Sequence, residues 1–305
     1  MTRSLDLASN WIIPKRYLRL RLFSGRQELK ETKLLSDLDV NTKISFEVTA
    51  NINGAANDAR ITITGLTREK MAHLAGTFTN WTKFQVQGEI ILDVGYENLH
   101  GTVFDGGVFA GMPNLDTENY SITLKCMEAW YDTLQKPISV SFPEGTPLSE
   151  IASKIASEGK YIFVNQLEDD LISGAYTREN LTVHQQAREL ARAADCQIWI
   201  QNGRLYIKNN GQSNKEKAKF TIDVNNMIGV PEPTEIGCRV RIRLNPSIYV
   251  GQRVALKSIK FPSINSDDWI VQQVAHSGDT KGNKWQTDLL LARGEGYGYL
   301  TEQHS

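Results

Sequence analysis

The stretch KISFEVTANI, residues 43–52, decides the fold. Ile44, Phe46, Val48, Ala50 and Ile52 alternate strictly with Lys43, Ser45, Glu47, Thr49 and Asn51. Successive side chains of a strand point to opposite faces, so this period gathers every apolar group on one face. A helix would scatter the same residues around its axis. Asn53-Gly54 follows with turn chemistry. The run therefore reads as a half-buried strand of an antiparallel sheet.

Working outward, the same grammar repeats. Tyr17–Phe23 sets Leu18, Leu20 and Leu22 against Arg19 and Arg21, and Arg60–Thr64 places Ile61 and Ile63 inward. Gly65-Leu66-Thr67 leads into a short helix over Arg68–Leu74, with Thr67 as N-cap. Strands are predicted at Phe84–Tyr96, Gly101–Ala110 and Tyr120–Cys126, punctuated by glycines. Many short strands with turns between them indicate a sandwich or barrel.

The period changes in the middle of the chain. Thr146 and Pro147 open a predicted helix, as N-cap and first helical residue, with Leu148, Ile151, Ala152 and Ile155 as its apolar stripe. Tyr161–Val164 reads as a strand. Thr182 and Gln185 have the spacing of a capping box for a helix reaching Ala194. Two strand runs then flank Asn202-Gly203, a strong hairpin signal. Asn209–Lys219 is polar and reads as a linker. Strands resume at Arg239–Leu244, Arg253–Ser258, Trp269–Ala275 and Trp285–Ala292, where Trp285, Thr287, Leu289 and Leu291 share one face. The fold class is mainly β with a small α+β insert. The division expected is 1–135, 136–212 and 213–305, with the insert in the middle.

Composition narrows the function classes. The chain has 305 residues, 34 basic and 35 acidic, for a net charge of -1. Such a balance argues against a dedicated nucleic-acid binder and a polybasic membrane anchor. No apolar run reaches membrane-spanning length, and Met1–Trp11 lacks the apolar region of a signal peptide. Three dispersed cysteines, Cys126, Cys196 and Cys238, suit buried free thiols in a reducing compartment.

No motif of a catalytic, cofactor or metal site is present. There is no nucleophile elbow, phosphate-binding loop or zinc-protease helix. Asp37, Asp39 and Asn41 mimic the start of a calcium loop, but Thr42 stands at its glycine position and Val48 at its bidentate glutamate position. The acidic triplet Glu168–Asp170 reads as a solvated loop. Arg239, Arg241 and Arg243 share one face of one strand: a solvated face, or a contact surface for an acidic partner or neighbouring subunit. No enzymatic activity, cofactor or metal is expected.

The C-terminal third carries a resemblance. Gly229-Val-Pro231, Leu244-Asn-Pro246 with Val250-Gly251, Val274-Ala-His276-Ser-Gly278-Asp279 and Trp285-Gln-Thr287 follow one another in an order that resembles baseplate hub proteins of contractile-tailed phages, including the late control protein D group. Residues 58–66, the helix after Leu181-Thr182 and the Asn202-Gly203 hairpin resemble other parts of the same proteins. The resemblance implies two tail-tube-like antiparallel β-barrels per chain, at 1–135 and 213–305. It further implies a homotrimeric ring joining a sixfold tail tube to a threefold central spike, among other baseplate proteins. Genomic DNA would only pass through the channel. The site would be the virion baseplate, assembled in the host cytoplasm, with no stable membrane association. Pro246 and Gly251 would bracket a turn, and His276, Gly278, Asp279 and Trp285 would build a hairpin rather than an active site. Rival readings are the hub of a tailocin or secretion spike, a tail-associated cell-wall hydrolase and a carbohydrate-binding module.

Overall fold

A computed structural model describes residues 14–24, 27–29, 42–52, 57–78, 88–115, 120–128, 137–168, 170, 174–209 and 220–293. The turn at 53–54, Asp37, Asp39 and Asn41 of the calcium-loop mimic, residues 84–87 of one predicted strand, most of the linker and Asp169 lie outside them, as do Trp81, Trp130 and both boundaries expected between domains.

The first third forms β1 (Arg16–Ser24), β2 (Gln27–Glu28), β3 (Lys43–Asn51), β4 (Asp58–Leu66), β5 (Gly88–Tyr96), β6 (Leu99–Asn114) and β7 (Tyr120–Met127). Helix α1 (Arg68–Phe78) follows β4 and is one turn longer than its apolar pattern predicts. The Thr67 hydroxyl accepts from the Lys70 amide at 3.3 Å, the expected cap. Met71, Leu74 and Phe78 are its buried face. Alternation in β3 is realised completely: Ile44, Phe46, Val48 and Ala50 are buried.

The middle stretch contains β8 (Ile138–Phe142), α2 (Leu148–Glu158), β9 (Ile162–Asn165), β10 (Tyr176–Leu181), α3 (Val183–Ala193), β11 (Cys196–Gln201) and β12 (Arg204–Asn209). The capping box on α3 is present with both reciprocal bonds. The cap expected on α2 is not. Pro147 is the N-cap of α2 and no side chain caps it. The Thr146 hydroxyl instead donates back to the Pro143 carbonyl at 2.8 Å, which closes the preceding turn. Asn202 and Gly203 both have positive φ, 49° and 71°, as a two-residue hairpin turn requires.

The last third forms β13 (Phe220–Ile222), β14 (Glu232–Thr234), β15 (Gly237–Arg243), β16 (Arg253–Leu256), β17 (Ser266–Asp279) and β18 (Trp285–Arg293). Strands of the first and last thirds belong to one 13-stranded sheet, ordered β14-β15-β18-β17-β3-β4-β7-β6-β5-β1-β2, with β13 and β16 branching from β17. The join is antiparallel β3–β17, in register from Asn51 opposite Gln273 to Ser45 opposite Asp279. Among the described residues the pairings form this open path and close no barrel.

Three apolar clusters fill the molecule. One lies under β1 and β3–β7, and it takes in Leu244 and Trp285 from the last third. A second lies under β13–β18, and it takes in Ala50 and Ile52 from the first third and Trp199 and Tyr206 from the hairpin β11–β12. The third lies between α2, α3 and the strands around them. Each fully buried aliphatic or aromatic side chain contributes ~1.5–3 kcal/mol. Side chains exchanged between clusters therefore bind the two β units to each other. No helix among the described residues is long and apolar enough to cross a membrane.

Candidate functional site

The turn between β17 and β18 is built around Asp279. Its Oδ1 accepts from the amides of Lys281 at 2.9 Å and Gly282 at 2.7 Å. Its other oxygen pairs with Lys43 Nζ at 2.7 Å. Burial alone would raise the Asp279 carboxyl; the Lys43 bond and the two amides outweigh it and hold the group below its ordinary range. From β1, Arg16 Nη1 donates to the carbonyls of Asp279 at 2.8 Å and Gly282 at 2.6 Å. The hairpin of the second β unit is thus held by charged side chains of the first.

Trp285 opens β18 and lies in the core of the first unit. Its Nε1 donates to the Gly95 carbonyl at 3.0 Å. Its ring meets Phe46 edge-on, with centroids 5.4 Å apart, and Arg16 stands over it at 5.2 Å. Gly278 is fixed by the same contact, because a β-carbon there would lie 2.6 Å from both the Phe46 and Trp285 rings. His276 occupies the joining strand, opposite Val48 on β3 and Thr287 on β18. It is buried, with Nδ1 at 2.9 Å from Thr287 Oγ1, and burial pushes its imidazole down to about 4. It is therefore neutral near pH 7.

Arg239, Arg241 and Arg243 project from β15, alternating with buried Cys238, Val240 and Ile242. Arg241 Nε pairs with Asp288 on β18 at 2.7 Å. Arg239 stands opposite Glu232 of β14 in register. Arg243 acts on the Tyr96 hydroxyl, whose ionisation burial otherwise opposes. Pro246 lies across from Gly101 of the first unit, where a β-carbon would reach its ring at 3.7 Å.

Gly251 has φ +81°, and a β-carbon there would lie 2.7 Å from the Trp199 indole. Trp199 stacks on Tyr206 at 5.1 Å between centroids, and Tyr206 on Tyr249 at 6.3 Å. Gln201 Oε1 accepts from the Val250 amide at 3.3 Å. The hairpin β11–β12 is seated against the turn that Pro246 and Gly251 bracket.

Glu128 is among the buried polar groups that escaped the sequence reading. Glu128, just past β7, is 3 % exposed. Asn57 Nδ2 donates to its Oε2 and, at 2.9 Å, to the Ile200 carbonyl. The Gly203 amide donates to Glu128 Oε1 at 3.2 Å. Burial raises the Glu128 carboxyl to about 8 despite these donors. The missed signal is register: Ile122, Leu124 and Cys126 face inward, so position 128 continues the inward face.

No group of three or more His, Cys, Asp or Glu suited to a metal is found among the described residues. Cys126, Cys196 and Cys238 are buried and free. Burial raises all three thiols, Cys196 and Cys238 to about 12. A thiolate is the reactive form, so these groups are inert packing. Trp199, Trp269 and Trp285 are buried as well, unlike the exposed aromatics of a carbohydrate platform.

Comparison with known proteins follows the fold. A family model described as baseplate hub gp41 matches residues 26–287. No curated protein sequence matches the chain. Among solved structures, a tail protein from Neisseria meningitidis MC58 superposes with a TM-score of 0.62 at 10% identity, covering 92% of this chain and 97% of that one. The 43 kDa tail protein of prophage MuSo2 from Shewanella oneidensis gives 0.62 at 12% identity, covering 90% and 97%. An E. coli component of the type VI secretion system, described as structurally similar to T4 bacteriophage tail proteins gp27 and gp5, gives 0.54 at 9% identity, covering 93% and 78%. At such identities the likeness is one of fold.

Proposed function

Since the chain belongs to the baseplate hub gp41 family, a family of structural phage tail proteins, we propose that it forms a trimeric hub ring between a sixfold tail tube and a threefold central spike. The β3–β17 ladder carries this reading. It welds two β units of one chain edge to edge, with Trp285 of one buried in the other. Three such chains present six β units in fixed pairs, which is what a threefold-to-sixfold adaptor requires. In this reading residues 1–135 and 213–305 are two barrel-derived domains around the 136–212 module. The Arg239–Arg241–Arg243 face meets an acidic neighbour, and DNA passes through without being held. The ring is assembled in the host cytoplasm and resides in the virion baseplate.

Light scattering on purified protein, together with copy number in the intact particle, tests the reading. Three copies per particle are expected. A stable monomer in solution combined with any other stoichiometry in the particle would overturn it. A monomer in dilute solution alone would not, because assembly by mass action can require the tube or spike.

The type VI secretion likeness favours a second reading, in which the same ring serves a DNA-free injection device. Purified particles that lack packaged DNA would select it. Neither reading gives the chain a catalytic step, and muramidase and peptidase assays on the purified protein are expected to show no turnover.

A further inference from the structure

The loop between β16 and β17, residues 257–265, is fastened at its neck. The Ser258 amide donates to Asn265 Oδ1 at 2.6 Å, and Asn265 Nδ2 donates back to the Ser258 carbonyl at 3.2 Å. Within that clamp the Phe261 amide donates to Ser258 Oγ at 3.1 Å, and Pro262–Ile264 form a 3-10 turn. Trp269 Nε1 donates to the Ile264 carbonyl at 2.9 Å, which ties the loop to the core of the second unit. A slack loop can fold its apolar side chains under. This one is held with Ile259 76 % and Phe261 42 % exposed. Lys257 and Lys260 beside them are exposed as well and make no ion pair among the described residues. A fixed apolar tip with a basic rim is the form of a docking surface.

The chain leaves the described residues beside this loop. Trp269 stands opposite Arg293 in the β17–β18 ladder, with the Arg293 guanidinium over its ring at 5.7 Å. Because β18 runs antiparallel to β17, its course past Arg293 points toward Ser266, where the loop ends and β17 begins. Trp269 and Ser266 are separated by ~10 Å of strand. Residues 294–305, GEGYGYLTEQHS, can span ~40 Å, four times that distance. Their composition is complementary to the loop. Glu295 and Glu302 match the charge of Lys257 and Lys260, and Tyr297, Tyr299 and Leu300 offer apolar surface. Gly294, Gly296 and Gly298 alternate with Glu295, Tyr297 and Tyr299. In an extended chain that alternation gathers the large side chains on one face.

We propose that residues 294–305 dock on the 257–265 loop of their own chain. Tyr297, Tyr299 and Leu300 cover Ile259 and Phe261, and the two glutamates meet the lysine rim. Tethering makes modest contacts sufficient, since a short linker gives an effective concentration in the millimolar range. Aromatic rings add edge or stacking contacts to the area they bury. The docking needs no second copy and stands apart from the trimeric ring.

Photocrosslinking of the full-length protein tests this, with p-benzoylphenylalanine in place of the exposed Phe261. The probe is expected to capture a peptide from 294–305 in a product of monomer mass, with a yield that does not change on dilution. Glu295→Lys with Glu302→Lys should lower the yield several-fold, and adding Lys257→Glu with Lys260→Glu should restore it. All four positions lie on the surface or past β18, so the swap leaves the described core intact. Hydrogen exchange provides a second measurement without the probe: amides 259–261 should be better protected in the full-length protein than in a chain ended at Arg293. Capture of any other segment, or of none, would overturn the proposal. So would capture of 294–305 in a dimer-mass product that fades on dilution, which would make the occupant a neighbouring copy. Charge reversal without effect, a swap that fails to rescue, or equal protection in the two chains would overturn it as well.

Discussion

Replacing Trp285 with alanine tests how the two β units hold together. The indole is 5 % exposed and projects from β18 into the core beneath β1 and β3–β7. Removing a buried aromatic of this size costs ~3–5 kcal/mol, because the cavity refills only in part. Cavity relaxation here is limited: Phe46 and Gly278, which line the gap, lie on the paired strands β3 and β17. The Gly95 carbonyl also loses its donor, a loss of ~1 kcal/mol or more for a buried acceptor. Loss of the Arg16 contact adds ~0.5–1 kcal/mol. A melting temperature lower by roughly 10 °C is expected for a domain of this size. Trp285→Phe keeps a ring against Phe46 and loses the indole bond, so it should fall between the two. Calorimetry of the three proteins decides the matter. A Trp285→Ala melt within about 2 °C of wild type would refute the argument, and lost particle assembly at unchanged stability would make Trp285 a contact residue.

Asp279→Ala removes the acceptor of two turn amides and the partner of Lys43, and should destabilise by ~1 kcal/mol, like the loss of a cap. Because the native Asp279 carboxyl is held below its ordinary range, its contribution is present above the unfolded value and fades as pH falls through the native one; acid melts of wild type and variant should converge. His276 acts in the same direction at higher pH. Burial holds it at about 4, while the unfolded chain protonates near 6.5, so stability is full above 6.5 and declines as pH drops toward 4. His276→Gln should flatten that decline in urea titrations, leaving a residual slope from His184, which burial also holds at about 4.

How much of this was legible in the sequence depends on range. Local rules read β3, β15 and β18 correctly, because alternation is a property of each strand alone. Turn and cap chemistry was legible for the same reason at Asn202-Gly203, Thr67 and Thr182–Gln185. Thr146 failed because two acceptor–donor choices lay within its reach, and the Pro143 carbonyl won. The pairing of β3 with β17 was not legible, since alternation identifies a face and not a neighbour. The same blindness hid the destination of Trp285: its alternation with Thr287, Leu289 and Leu291 marks a shared face but not that the indole enters the core of the first unit. Glu128 was overlooked because the strand ending at Cys126 was not continued two residues further. Gly251 was read as a turn glycine; its positive φ fits that, and the Trp199 ring adds a second reason that only the packed hairpin supplies.

The exchange of side chains between units leads to a last prediction, about truncation. A fragment ending at residue 135 retains β1–β7 and α1, with β3 still paired to β4, but loses the strand on the other edge of β3. The β3 edge from Ser45 to Asn51 loses its partner strand, and the cluster beneath it loses Trp285 and Leu244. Position 278 becomes open space beside Phe46. What remains is a long edge with Phe46 and Val48 on its inner face and no proline in 43–51, the profile of a strand that pairs with other copies of itself. The fragment should be insoluble or polydisperse by light scattering. Co-expression with residues 213–305 should restore solubility, because that segment supplies β17, Trp285 and Leu244 together. Co-expression with a Trp285→Ala version should restore it less. A fragment that is monodisperse alone and melts within a few degrees of the full chain would show that the first unit completes its own core, and that the β3–β17 ladder is an addition to two independent folds.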